Sequence, residues 1–507
     1  MDIPLLIFRP QKYEYYFNLQ TPTKINYKFL CSTILIKFET PSYFNVMNKF
    51  KIFLGLAFWA LLTAVSCNRD DISFDSPSQL LRFSADTVFC DTVYNQVRSE
   101  TYAVKIYNNE DKDVLIPKIS LGNGNASLYR INVDGKAGTD FTDIPLRKKD
   151  SLYIFVEIAP VANAPEAIAE DQINFETPAG TQHVTLFSVV QDAEFYIESD
   201  TNPNILTNNT TWTNDKAKII FGDLTLDAGK TLDIQKGTKV YFFKNSGLKI
   251  SKNAKLNVMG DLDEEVIFRG DRNDTKYDTI PKNWKGISFA TGAQLDMNYA
   301  RIFGGTRGLE MMETTAVINN SIIHTHQEYG IYAVKSTVTA KNLVMNNCGE
   351  ADLGIFKGGT YNITHSTLAN YWDFNTSLPS LGIFATNDYQ NDANLETGPL
   401  TLNISNSIIY GIKDNAVEFK PTAGQIFSTV FQNNLLKYGT DAGYNVDASN
   451  IKNEDPKFQN YFTQKMNLRV KDDSPAKGKG NVAVAASVPL DIVKVSRTVS
   501  PTLGAYQ

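Results

Sequence analysis

Scarcity narrows this chain first. Its four cysteines, Cys31, Cys67, Cys90 and Cys348, stand far apart and without metal-ligand spacing. That argues against a disulfide framework or a cysteine zinc site. The conspicuous apolar run, Ile52 to Val65, falls short of the ~20 residues that span a bilayer. Clustered cations are missing as well. Residues 1–66 hold seven Lys/Arg against three Asp/Glu, which leaves 42 against 52 beyond them, a formal −10. A nucleic-acid partner needs a basic patch, so none is expected. No 3.6-residue period is sustained, which excludes helical solenoids. The L-x-x-L-x-L core of leucine-rich repeats does not recur either.

What remains is an ordinary globular composition, 42% hydrophobic and 21% charged, with 54 Tyr and Phe that suit β-structure. The organising feature is a repeat between Trp284 and Asn434. A glycine followed by an aliphatic residue returns at Gly286-Ile287, Gly308-Leu309, Gly330-Ile331, Gly354-Ile355 and Gly382-Ile383, at spacings of 22, 22, 24 and 28. An Asn followed by apolar residues keeps pace at Asn320, Asn342, Asn406 and Asn434, with His365 taking the place between. Short β-branched runs split by Gly, Asn, Thr and Ser fill each period. About 22 residues per turn with three short strands predicts a right-handed parallel β-helix, an all-β solenoid. Asparagines at one fixed place are expected to stack as an amide ladder. Ile287, Leu309, Ile331, Ile355 and Ile383 are expected to stack inside it.

Around that repeat the chain divides as follows. Residues 1–46 read as a mis-annotated upstream extension, because Met47 opens a better start: Lys49 and Lys51, then the apolar run, an export signal over 47–66. Ala64-Val65-Ser66-Cys67 resembles the lipobox of bacterial lipoproteins, with Ala64 where that family usually has Leu. The resemblance implies lipidation of Cys67, anchorage to the bacterial outer membrane and a tether over 67–78. The acidic start of that tether, Asp70-Asp71, is similar to surface-export signals. Residues 79–195 carry seven longer alternating strands between turn clusters, which predicts a small, antiparallel β-sandwich. It resembles bacterial Ig-like spacer modules. A linker over 196–218 then leads to the β-helix at 219–507. Ser474-Pro-Ala-Lys-Gly-Lys-Gly, Leu503-Gly-Ala-Tyr and the turn Asp455-Pro-Lys-Phe resemble the tail of the pectin-lyase-like superfamily, which lies as a cap over the last coil.

No catalytic constellation stands out. β-helix polysaccharide hydrolases resemble one another in an Asp-Asp and a Gly-His-Gly; here Asp-Asp occurs only at Asp70-Asp71 and Asp472-Asp473, and Gly-His-Gly is missing. The lyases of that fold use aspartates for Ca²⁺ and an Arg or Lys as base. The nearest match is a loop with Asp271, Asp274 and Asp278 as oxygen ligands and Arg269 or Arg272 as base; the plainer reading is a polar loop whose charges pair with one another. His324 and His326 lie two apart with Glu328 beyond, short of a complete metal set, and read as a solvated outer face. Two long repeats insert extra residues, and solenoid insertions often build binding faces. Tyr371, Trp372, Asp373, Asp388, Tyr389 and Asp392 mix rings with carboxylates, the chemistry of a carbohydrate site. The alternative is that Trp372 folds back over the core. The expected function is a lipid-anchored protein displaying a face for a polysaccharide or surface protein. A polysaccharide lyase or hydrolase with unfamiliar residues and a structural scaffold are the rivals.

Overall fold

The computed structural model describes residues 73–507 other than 91, 95–98, 161–165, 200, 202, 273–274, 375–376, 393 and 440–446. The expected start at Met47, the export segment, Cys67 and the first part of the tether lie outside the described residues, as does Asp274. The regular secondary structure of the described residues is almost entirely β-strand, much of it in two large parallel sheets.

Residues 82–191 form two smaller sheets. One orders Arg82–Phe83, Tyr102–Tyr107, Ser151–Ile158, Tyr129–Val133 and Lys136–Gly138, every pair antiparallel. The other orders Thr87–Phe89, Gly180–Gln191, Glu166–Thr177, Val114–Leu121 and Asp140–Leu146. Alternation sends Val104 and Ile106, Ile154 and Val156, and Val184 and Leu186 into one shared core. One feature departs from a purely antiparallel sandwich, and one strand is unexpected. Thr87–Phe89 and Val93–Tyr94 run parallel to Gly180–Gln191. Asp140–Leu146 is a further strand, although Asp143 at φ 54° and Pro145 look like turn chemistry. It lies at the sheet edge, where a proline costs no ladder bond.

The end of the expected tether is pinned. Asp75 exchanges backbone bonds with Asp113 and Leu115, and the Ser78 and Gln79 amides donate to Glu110 at 2.7 and 3.0 Å. The expected linker also pairs. Ala193–Ile197 lies parallel to Ala217–Phe221, while Ile205–Leu206 and Thr210–Trp212 join the next repeat. Short strands split by Asn and Thr, with no glycine marker, hide this in the sequence. Tyr94 packs on Tyr241 with ring centroids 5.3 Å apart, so the smaller sheets and the parallel ones share a contact.

From Ala217 onward the strands of the two large sheets pair in parallel with their counterparts one repeat later. One column of buried residues runs Leu248, Ile287, Leu309, Ile331, Leu353, Ile383. Leu353, not Ile355, holds the fourth repeat's place. The glycine series shifts with it: Asp352 stands in register with Gly330 and Gly382, and Gly354 faces outward opposite Tyr332. The spacing is therefore 22 once more, not 24. At Gly308 a Cβ would collide with the Gly330 carbonyl, so close backbone approach demands glycine there.

The amide ladder forms. Asn320 Nδ2 donates to Asn298 Oδ1 and Asn342 Nδ2 to Asn320 Oδ1, both at 2.8 Å. Asn320, Asn342, His365 and Asn406 all have φ near +50°, and in the last repeat Asn433 takes that conformation rather than Asn434. The sequence signal thus reports a left-handed turn that Asn tolerates well.

His324 and His326 are both buried, which corrects the solvated face expected for them. Thr325 at φ 59° breaks the strand alternation between them. His326 packs inward with Nε2 3.3 Å from the Ile302 carbonyl, and burial lowers its pKa to about 4. Burial, helped by Arg497, lowers His365 to about 3. Both folded values lie below the unfolded ~6.5. Their neutral burial therefore supports the fold above that pH and loses that support as pH falls toward the folded pKa. Asp352, pushed up by burial, works in the opposite sense. The stability gap between the native chain and His326→Asn should shrink by about 2 kcal/mol from pH 7 to pH 5. A gap independent of pH in denaturant melts would show that the ring protonates freely inside the fold.

The C-terminal segment is not confined to the last repeat. Ala476, Leu503 and Ala505 cover Val344, Ala369, Ile408 and Leu435 on the outer face of the 11-stranded sheet. That face is apolar and needs a cover. The Ala505 amide donates to Thr367 Oγ1 at 3.0 Å, and buried Arg497 donates to the Gly504 and Ala505 carbonyls.

Candidate functional site

The opposite sheet presents an uncovered face of a different kind. Glu310, Tyr332, Gly354, Phe384 and Glu418 succeed one another outward on neighbouring strands, about 4.8 Å apart as parallel strands are. Gly354 leaves a gap that Tyr329 fills; a Cβ there would lie 2.6 Å from the Tyr329 ring. Phe356, two residues along its strand, closes the surface. Its centroid is 4.6 Å from Tyr332 and 5.4 Å from Phe384, and Tyr329 stands 5.2 Å from Tyr332. All four rings are half-buried, so one side of the pavement meets solvent.

Charges frame it. Arg307 lies 4.2 Å over the Tyr332 ring and is held by Glu310 at 2.9 Å and Glu328 at 2.6 Å. Lys420 lies 5.0 Å over Phe384 at the far end. Burial, and then the neighbouring Glu328, raise the Glu350 carboxyl above the usual range. At the near end a cleft of about 220 Å³ opens beside Asp223, Lys249, Lys285 and Arg307. Burial opposes ionisation of Asp223, yet Lys249 and Lys285, each 2.7 Å away, hold its pKa below the usual value. The arrangement offers flat apolar rings bordered by donors and acceptors, which suits the faces and hydroxyls of sugars.

The expected site residues fall in separate places. Asp388 and Tyr389 lie on the hairpin Asp388–Asn391 and Asn394–Thr397, with Asp392 exposed at its tip. Tyr389 is an electrostatic neighbour of Tyr332, so this hairpin borders the pavement. Tyr371 and Trp372 instead follow Thr367–Asn370 in the other sheet. Tyr371 stacks on Tyr461 at 4.1 Å, Trp372 is 2% exposed and packs 5.1 Å from Phe374, and Asp373 points to solvent. Burial of Trp372 fits the alternative, in which it folds back, and not the ligand-facing reading. In the polar loop Asp278 pairs with Arg269 at 2.6 Å, Arg272 pairs with Glu100, and burial pushes Asp271 to about 6. Among the described residues no three His, Cys, Asp or Glu converge as a metal site.

Sequence reasoning missed the pavement itself. Its signal was present: each Gly-Ile marker from the third onward is followed by an aromatic residue, Tyr332, Phe356 and Phe384.

No protein-family model matches the chain, and no curated protein matches it. Among solved structures, the catalytic domain of a GH87 alpha-1,3-glucanase in complex with nigerose aligns over 66% of this chain and 80% of its own, at 9% identity and a TM-score of 0.20. A family 123 glycoside hydrolase from Clostridium perfringens aligns at 9% identity and a TM-score of 0.18, over 27% of this chain and only 30% of that protein. The E. coli chaperone DraB aligns over 24% of this chain and 58% of its own, at 13% identity and a TM-score of 0.16. Likenesses this slight carry no argument about this chain.

Proposed function

We propose that the stacked repeats wind as a right-handed parallel β-helix whose aromatic pavement binds a glycan chain. In this reading Cys67 carries the lipid that anchors the protein to the bacterial envelope, and the Ig-like sandwich spaces the binding face from the membrane. The observation that supports binding is the pavement: Tyr329, Tyr332, Phe356 and Phe384 form one half-exposed surface with Arg307 and Lys420 at its margins. A ligand repeating along one axis, as a polysaccharide does, matches a surface repeating along the strand stack.

Tyr332→Ala should weaken binding of an array-identified oligosaccharide by about 1–3 kcal/mol, the scale of an aromatic anchor, with melting little changed. Calorimetry showing native affinity in that variant, or an array with no bound glycan, would remove the proposal. The anchor has its own test. Labelled fatty acid should enter the native chain and not Cys67→Ser; label in the mutant would end the lipoprotein reading.

One observation favours hydrolysis on the same face. Glu350 is raised by burial and by Glu328 beside it, and Glu328 is ion-paired with Arg307. A carboxyl raised above its usual range beside a second carboxylate is the kind of pair that general acid–base cleavage employs. New reducing ends that vanish in Glu350→Gln would establish turnover; binding without them leaves a binding protein.

A further inference from the structure

A second cleft lies on the other sheet and belongs to neither the pavement nor its hairpin. It measures about 590 Å³, within the range of small-molecule sites. Arg301, Phe303 and His324 form its floor, and Lys276, Asp278 and Lys465 stand on its walls, on the turns Thr275–Thr279 and Thr463–Lys465. The floor follows from register: Phe303 and His324 occupy the same outward place on adjacent strands, their rings stacked at 5.0 Å and 6°.

The charges are unbalanced. Asp278 is already engaged by Arg269 at 2.6 Å. Among the described residues, no carboxylate forms an ion pair with Arg301, Lys276 or Lys465. Three cations therefore line the cleft against one carboxylate, Asp278, which is already shared between its contact with Arg269 and the field of Arg301. Arg301 Nε is enclosed and meets no hydrogen-bond partner among the described residues. His324 is 4% exposed; its Nδ1 is 2.9 Å from Thr325 Oγ1, and its Nε2 has no partner. Enclosed polar atoms left unpaired are costly, and a ligand that satisfied them would recover that cost.

We propose that this cleft binds a single anionic sugar unit, its carboxylate or sulfate held by Arg301, Lys276 and Lys465 and a hydroxyl meeting His324 Nε2. Arg301 supplies the planar fork suited to an oxyanion, and the lysines supply charge. The rings of Phe303 and His324 cover one another, so recognition here is polar, unlike stacking on the pavement. The site goes beyond the proposed pavement function and does not depend on it.

The test is calorimetric titration of the full chain with glucuronate, glucose 6-sulfate, glucose and inorganic sulfate. At least one acidic sugar should bind, with glucose and inorganic sulfate each weaker by about tenfold or more. Arg301→Gln should weaken the acidic sugar by roughly 10–100-fold, as loss of a charged hydrogen bond does. Lys465→Gln, on an exposed turn, provides the same test should the arginine variant fold poorly; it should weaken binding and flatten its salt dependence. Tyr332→Ala should leave this affinity unchanged, so failure of the pavement and failure of the cleft remain distinguishable. The proposal is overturned if no acidic sugar binds, if glucose or sulfate binds as tightly, or if the folded charge-removing variants bind like the native chain.

Discussion

Ile331→Asp should lower stability by on the order of 5 kcal/mol, the largest loss expected of any change considered. Ile331 is 1% exposed and lies between Leu309 and Leu353 in the continuous column. The substitution removes aliphatic contacts with both neighbours and places a carboxyl where neither water nor a cation reaches it. Such a group takes up a proton instead of staying charged. Asp352, buried in the next repeat, illustrates this, since burial pushes its carboxyl well up. A raised folded pKa costs stability as pH rises above the unfolded value near 4. The deficit should therefore be greater at pH 8 than at pH 5. Thermal melts at the two pH values check both the size and the sign, and an unchanged melting temperature would place Ile331 outside the core.

Trp372→Ala should cost about 3–5 kcal/mol, as truncating a buried aromatic does. The indole is 2% exposed, with Phe374 beside it at 5.1 Å. Alanine would open a void beneath the loop that follows Thr367–Asn370. Glycan affinity should be unaffected once the variant is assayed below its lowered melting temperature, because the pavement lies on the other sheet. Loss of affinity with native stability would reverse the assignment and return Trp372 to a binding role.

Legibility differed from element to element for physical reasons. The parallel repeat could be read because close backbone approach demands glycine at Gly286, Gly308 and Gly330, and left-handed turns favour Asn at Asn320, Asn342 and Asn406. The same reading slipped at Gly354, a glycine kept for the Tyr329 ring and not for the repeat. Only paired register exposes that difference. The strand Asp140–Leu146 was hidden because Pro145 is tolerated at an edge, and edges are a property of the assembled sheet. Among the site residues, Tyr389 was found near the pavement and Trp372 was not. Both sit in inserted segments with similar composition, and composition does not say which way an insertion folds.

The sequence by itself determined that this chain is all-β and that its long segment pairs in parallel, strand upon strand. Those properties depend on local backbone demands and on spacing, which are written residue by residue. Tertiary structure alone decided which face stays open. The C-terminal segment covers one sheet because Val344, Ala369, Ile408 and Leu435 leave it apolar, while Tyr332, Phe356 and Phe384 remain half-exposed on the other. Tyr332 and Phe384 are 52 residues apart by number yet meet across Phe356, since stacking turns sequence distance into rungs of a few ångströms.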